Sequence, residues 1–277
     1  MIIIFLAAFC EFLDASLGML YGTILSPVLI ILGFQALVVV PSLLISQAIG
    51  GLTATIFHQR FKNVSFGLKV KKPRQVLEKI KDVGLLETIR KGITRDLRAS
   101  ICIAALGISA TVISVLVAIN IPKIAMETYI GTLVFIMGVI LLSNLTFKYT
   151  WKKIVGVGLL SSFNKGLSGG GFGPVTTAGQ VIAGRDSKAS IGSTTLAEAP
   201  ICIAGFITYL LTKGISDWLF IIYLCIGALI GALIGPRFTA RFKNDKKLRK
   251  IMGALVLVLG MFTILKVFGI IKIAIKI

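Results

Sequence analysis

The sequence predicts an all-α polytopic membrane protein built from two inverted repeats, each a re-entrant helical hairpin plus three transmembrane helices. Three observations carry this prediction. Of the 277 residues, 56% are hydrophobic and the mean hydropathy is +0.95, above what soluble domains show. Sliding the chain against itself by 151 residues aligns 12–66 with 163–217 without a gap. Lysines and arginines, finally, collect in connecting segments, and their bias between equivalent connections reverses from one half to the other.

Each element follows in turn. Apolar runs at 36–57, 101–121, 128–147, 188–211, 218–235 and 251–271 are long enough to cross a bilayer. The first residues lack a basic n-region and a small-residue cleavage site, so the N-terminal apolar stretch is expected to stay in the mature protein. In the alignment Phe12 meets Phe163, Gly18 meets Gly169, Gly22 meets Gly173 and Gly33 meets Gly184. Apolar sequences match easily by chance; glycines at matching intervals do not, and a duplicated unit follows. The repeats are expected at 1–148, with a basic insertion at 67–98, and at 149–277.

Charge orients them. The segment 60–98 is dense in Lys and Arg, whereas its counterpart Lys213–Asp217 holds one. The next pair reverses: Lys123 stands alone near 120–125, while 237–250 carries seven basic residues from Arg237 to Lys250. With 60–98 and 237–250 inside, the stretch from about 153 to 184 must enter and leave on one face. Limbs of about 15 residues reach roughly 22 Å, short of a hydrocarbon core of roughly 30 Å. The stretch therefore reads as a hairpin with "GLSGGG" at its tip, and 1–33 as its counterpart from outside, with "ASLGMLYG" at the tip. Trp151 and Trp218 fall at opposite interfaces. The competing layout has eight full crossings and parallel repeats.

The second tip is the first candidate site. Gly169, Gly170 and Gly171 let several N–H groups share one space, and an outgoing helix from about Phe172, with Pro174 early in it, would aim its positive end at the membrane centre. That arrangement binds small anions; alternatively, the glycines serve tight hairpin packing. In "SIGSTTLAEAP", Ser193, Thr194 and Thr195 precede Glu198, which lies roughly 16 Å into its helix. An ionisable group that deep reads as functional, either carrying a proton or accepting structural hydrogen bonds. Pro200 should loosen the helix beside it. Its repeat partner is Gln47. Asp14 and Lys165 are also equivalents, and two approaching tips could join them as a clamp, or leave Lys165 to attract an anion while Asp14 and Glu11 tune it.

These motifs resemble the sulfite exporter TauE/SafE family of membrane permeases. The second half carries "GLSGGGFGPV" (166–175), "IGSTTL" (191–196), "KGISDW" (213–218) and "IGALIGALIGPRFTARF" (226–242); the first has the degenerate "ASLGMLYGTILSP" (15–27), "VPSLL" (40–44) and "RFKNVSF" (60–66). The resemblance spans the chain apart from the insertion and implies transport of a small anion, sulfite or an organosulfonate, across the cytoplasmic membrane. The substrate-binding set is then Asn164, Lys165, Ser168, Gly169, Gly170, Gly171, Thr176, Ser193, Thr194, Thr195, Ser42 and Gln47, with Glu198 as the proton-coupling group. A passive anion channel could use the same residues without titration.

Other classes find less support. Scattered Cys10, Cys102, Cys202 and Cys225 and a lone His58 give no zinc or disulfide framework and no constellation for an intramembrane enzyme. No cofactor is implied. A cation carrier would rest on Glu11, Asp14 and Glu198. The formal charge of +19 sits in loops, as the positive-inside rule requires, and does not indicate nucleic acid. The partners are the anion and membrane lipids, with self-association left open. Within the insertion, 73–98 can form an amphipathic helix on the anionic leaflet or a solvated loop.

Overall fold

A computed structural model describes residues 1–67, 93–118, 123–143, 145, 148 and 150–268. Of the basic insertion 67–98, residues 68–92 lie outside the described residues, and 95–98 open a membrane helix rather than close an amphipathic one. Among the described residues there are ten helices and no strands. They are α1 (Ile2–Leu17), α2 (Tyr21–Ile31), α3 (Ala36–Arg60), α4 (Arg95–Ala118), α5 (Lys123–Leu142), α6 (Trp151–Ser168), α7 (Phe172–Ile182), α8 (Ser187–Lys213), α9 (Trp218–Arg241) and α10 (Asp245–Val267). Five of them, α3, α4, α8, α9 and α10, are long and apolar enough to cross a membrane, and α5 contributes the shorter apolar stretch Gly131–Leu142.

Two element boundaries differ from expectation. The run expected at 128–147 lies partly in a helix that begins at Lys123 and ends at Leu142, and Thr150 caps α6 by accepting the Lys153 N–H. The hairpin limbs are unequal, 18 and 11 residues for α6 and α7 and 16 and 11 for α1 and α2. Their break falls where the chain takes left-handed backbone, at Gly18 (φ 74°) and Gly169 (φ 70°), each donating its N–H to the carbonyl four residues back, Asp14 and Lys165. α8 continues as helix through Pro200.

A shift of 151 residues carries Tyr21 onto Phe172, Ile31 onto Ile182 and Ala36 onto Ser187, so the ends of α2 and α7 and the starts of α3 and α8 coincide. Backbone strain follows the same register: Leu20 (φ 112°) holds the place of Gly171 (φ 74°), and Gly33 (φ 92°) that of Gly184 (φ 88°). The first tip therefore builds with a leucine a turn that the second builds with glycine.

Helix packing repeats the pattern. α1 lies along α9 and α6 along α4; α3 and α8 cross at the centre, α3 also against α9 and α8 against α4; α5 pairs with α10. Small residues permit the approach. Along α9, a Cβ on Gly227 would lie 2.5 Å from the Ile4 carbonyl oxygen, and one on Gly231 2.4 Å from that of Ala8. The second hairpin closes on itself at Gly179, where a Cβ would meet Val157 at 2.7 Å. Its open ends share one face: the Arg98 guanidinium lies 4.0 Å over the Trp151 ring at the start of α6, and Arg185, just past α7, reaches Asp96 at the start of α4.

Candidate functional site

The two hairpin tips meet at backbone level. A Cβ on Gly22 would stand 2.0 Å from the Gly169 carbonyl oxygen, and one on Gly173 2.7 Å from the Gly18 carbonyl oxygen. The 151-residue shift converts one of these contacts into the other. The Gly169 N–H is taken by Lys165 O (2.8 Å), and the Gly171 N–H donates to Thr23 Oγ1 (3.1 Å). The glycines thus provide close tip-to-tip contact, and in this conformation the Gly169 and Gly171 amides donate within the protein.

Beside the tips lies a buried polar network. Lys165, in the last turn of α6, donates to Glu198 Oε1 on α8 at 2.9 Å, with side chains only 1% and 3% exposed. It also donates to Gln47 Oε1 on α3. Gln47 in turn donates to Asp14 Oδ2 at 3.4 Å, and Asp14 Oδ1 accepts the Tyr21 N–H at 3.1 Å. Asp14 and Lys165 are therefore not a direct pair, as the expected clamp would require. Each instead contacts the α3 or α8 residue of its own half, and Lys165 to Gln47 is the link across. The geometry joins two equivalent pairs, Asp14 with Gln47 and Lys165 with Glu198.

Glu11, one turn before Asp14, is 1% exposed, and its Oε2 has no hydrogen-bond partner among the described residues. Its carboxyl occupies the notch left by Gly50 on α3, where a Cβ would come within 2.7 Å. Of the three buried acids here, Glu198 pairs with Lys165 directly and Asp14 is linked to it through Gln47, while Glu11 sits against Gly50. Among the described residues no group of three or more His, Cys, Asp or Glu side chains could hold a metal ion.

A second polar line leads from α8 to the first tip. Thr194 Oγ1 accepts from Gln180 Nε2 (2.9 Å) and lies 3.0 Å from Thr177 Oγ1, whose hydroxyl donates to the Gly18 carbonyl at 2.6 Å. Ser193 Oγ accepts from Arg185 at 2.9 Å. Thr195 donates to Gly192 O (2.8 Å) and accepts from Thr55 (3.4 Å). Ser42, the counterpart of Ser193, turns back on its own helix to Val38 O. Asn164 and Thr176 are fully buried, and Thr176 Oγ1 has no hydrogen-bond partner among the described residues. The side chain of Ser168 lies outside the described residues.

Three residues with places in these networks carried little sequence signal. Thr177 and Gln180 are ordinary helical polar residues, revealed by what they face. Arg185, one more basic residue in a connecting turn by sequence, is only 5% exposed. His58, the lone histidine, is wholly buried; its Nε2–H donates to Ala15 O at 2.8 Å, and Asn63 donates to its Nδ1 at 3.0 Å and to Pro236 O at 2.7 Å. It ties α1, α3 and α9 together. In the turn between α7 and α8, partial desolvation raises the Asp186 carboxyl above its usual range, and neighbouring Asp245 adds to the effect.

The family model described as "Sulfite exporter TauE/SafE" matches residues 83–263 of the chain. The match takes in α4 to α10, including Lys165, Glu198 and the Gly169–Gly171 run, and leaves the degenerate first hairpin and α3 outside. Neither the search of curated proteins nor that of solved structures found a match.

Proposed function

Because the chain belongs to the sulfite exporter TauE/SafE family of membrane transporters for small anions, we propose that it is a proton-coupled secondary transporter of sulfite or an organosulfonate. The observation that carries this reading is the Lys165–Glu198 pair at 2.9 Å, buried among apolar helices. A desolvated ammonium needs a counter-charge. When Glu198 takes a proton, that counter-charge disappears, and an oxyanion restores it. Proton and anion then bind together for electrostatic reasons, without any further device.

In this reading Lys165, Asn164, Thr176 and Gln47 hold the anion at the inner end of the second hairpin. Thr194, Thr195 and Ser193 line its way along α8, with Ser42 at the corresponding place on α3. The Ser168–Gly171 turn contributes its amides when the tips part and Thr23 releases the Gly171 N–H. The coincident helix ends, the exchangeable tip contacts and the matching helix pairings support two inverted repeats, 1–148 and 149–277, related by a pseudo-twofold axis between the tips. Rocking of one repeat on the other would move the tips apart and alternate access.

Sulfite flux into proteoliposomes tests the proposal. Wild type should accumulate sulfite against its gradient when a pH gradient is imposed, and Glu198→Gln should abolish accumulation. Flux that only equilibrates sulfite, with or without the pH gradient, would identify a passive channel.

A further inference from the structure

A second, partly buried ion pair closes the face on which α3 ends and α4 and α8 begin. Arg185 lies in the turn between α7 and α8, 5% exposed. One terminal nitrogen donates to Asp96 Oδ1 at 2.6 Å and to Ser193 Oγ at 2.9 Å; the other donates to Gln180 Oε1. Asp96 belongs to the first turn of α4, and its Oδ2 accepts the Ser65 N–H at 3.0 Å, fastening the chain that leaves α3. Asp96 also lines a partly open cavity of about 430 Å³, together with Gln59, Lys62, Asn63, Ser65 and Phe66. Behind Arg185 the line of Ser193, Gln180, Thr194 and Thr177 leads to the Gly18 carbonyl at the first tip. The ion pair is the step between the cavity and that inward line.

The corresponding place in the first half is built differently. The 151-residue shift puts Phe34 where Arg185 stands, and Phe34 stacks on Phe220 with ring centroids 4.6 Å apart. One mouth is closed by two rings and the other by a guanidinium and a carboxylate. An aromatic stack offers an anion nothing. An arginine held by a carboxylate offers a fork of donors already shaped for planar or tetrahedral oxyanions, with a competitor in place.

We propose that Arg185 is an anion-recognition residue latched by Asp96, and that a sulfite or sulfonate group opens this mouth by taking the carboxylate's place on the guanidinium. Lys62 on the cavity wall draws the anion in, and Ser193 receives it as Arg185 turns inward. The inference rests on the anion-transport reading and adds a recognition step to it, ahead of Lys165.

Sulfite exchange in proteoliposomes, with the melting temperature of each variant measured alongside, provides the test. Asp96→Asn keeps an acceptor for the Ser65 N–H but removes the competing charge, and should lower the KM for sulfite at least threefold. Arg185→Lys keeps the charge, loses the fork and should raise the KM about tenfold. The charge exchange Asp96→Arg with Arg185→Asp should recover the melting temperature lost in Arg185→Asp alone without recovering sulfite exchange. Restoration of both by the exchange, or an unchanged or higher KM in Asp96→Asn, would show a structural clamp and overturn the proposal. Failure of wild type to move sulfite or methanesulfonate would instead refute the transport reading, and this proposal with it, before any substitution is made.

Discussion

Lys165→Met is the most informative single change. Lys165 and Glu198 are 2.9 Å apart with side chains 1% and 3% exposed. At an effective dielectric of about 20 their attraction is roughly 6 kcal/mol, and breaking a buried pair by removing one partner costs about 3–5 kcal/mol. The two halves of the pair are not equivalent. Without Lys165, Glu198 remains beside Asp14 and Glu11 with no cation in the network. Without Glu198, Lys165 still has Gln47 and, through it, Asp14. Lys165→Met should therefore destabilise more than Glu198→Gln, and the double variant should be more stable than Lys165→Met alone. At roughly 2–4 °C per kcal/mol for a chain of this size, Lys165→Met should lower the melting temperature in detergent by about 10 °C. The reverse order of the two single variants, or single variants melting within a degree or two of wild type, would refute the charge count.

Other predictions address the surroundings. Glu11→Gln removes an ionisable carboxyl from a site whose Oε2 lacks a partner among the described residues, and should stabilise by roughly 1–3 kcal/mol in thermal melts. Gly22→Ala would place a methyl 2.0 Å from Gly169 O and should cost more than about 4 kcal/mol, read as loss of folded protein on size exclusion. Gly33→Ala has only its φ of 92° against it and nothing within 4 Å, so it should cost about 1–2 kcal/mol and remain folded. The raised Asp186 carboxyl should make stability fall as pH rises above the unfolded-state range near about 4, since the folded chain then binds more protons than the unfolded one. Asp245→Asn, which relieves the repulsion, should flatten that fall in melts recorded across the acid range.

Hydropathy, charge and glycine spacing determined much of this protein by themselves. A run of apolar residues must bury its backbone hydrogen bonds in helices when it meets lipid, and Gly18, Gly169 and Gly171 mark where those helices must break. The 151-residue register was legible for the same reason, because left-handed turns restrict residue choice locally. That Glu198 and Gln47 lie well inside long helices followed from counting residues, and both are buried there.

Tertiary structure alone decided which polar groups face one another. Lys165 chose Glu198 and Gln47 over a direct contact with Asp14, the tip amides found Lys165 O and Thr23, and Arg185 gathered Asp96, Ser193 and Gln180 around one guanidinium. None of these contacts has a local signature, since each joins helices far apart in sequence. Burial forces every polar group to find a partner, but only the packed positions of α3, α6 and α8 determine which one. Glu11 is the exception that no pattern could reveal: its missing partner is a property of the space left by Gly50 on another helix.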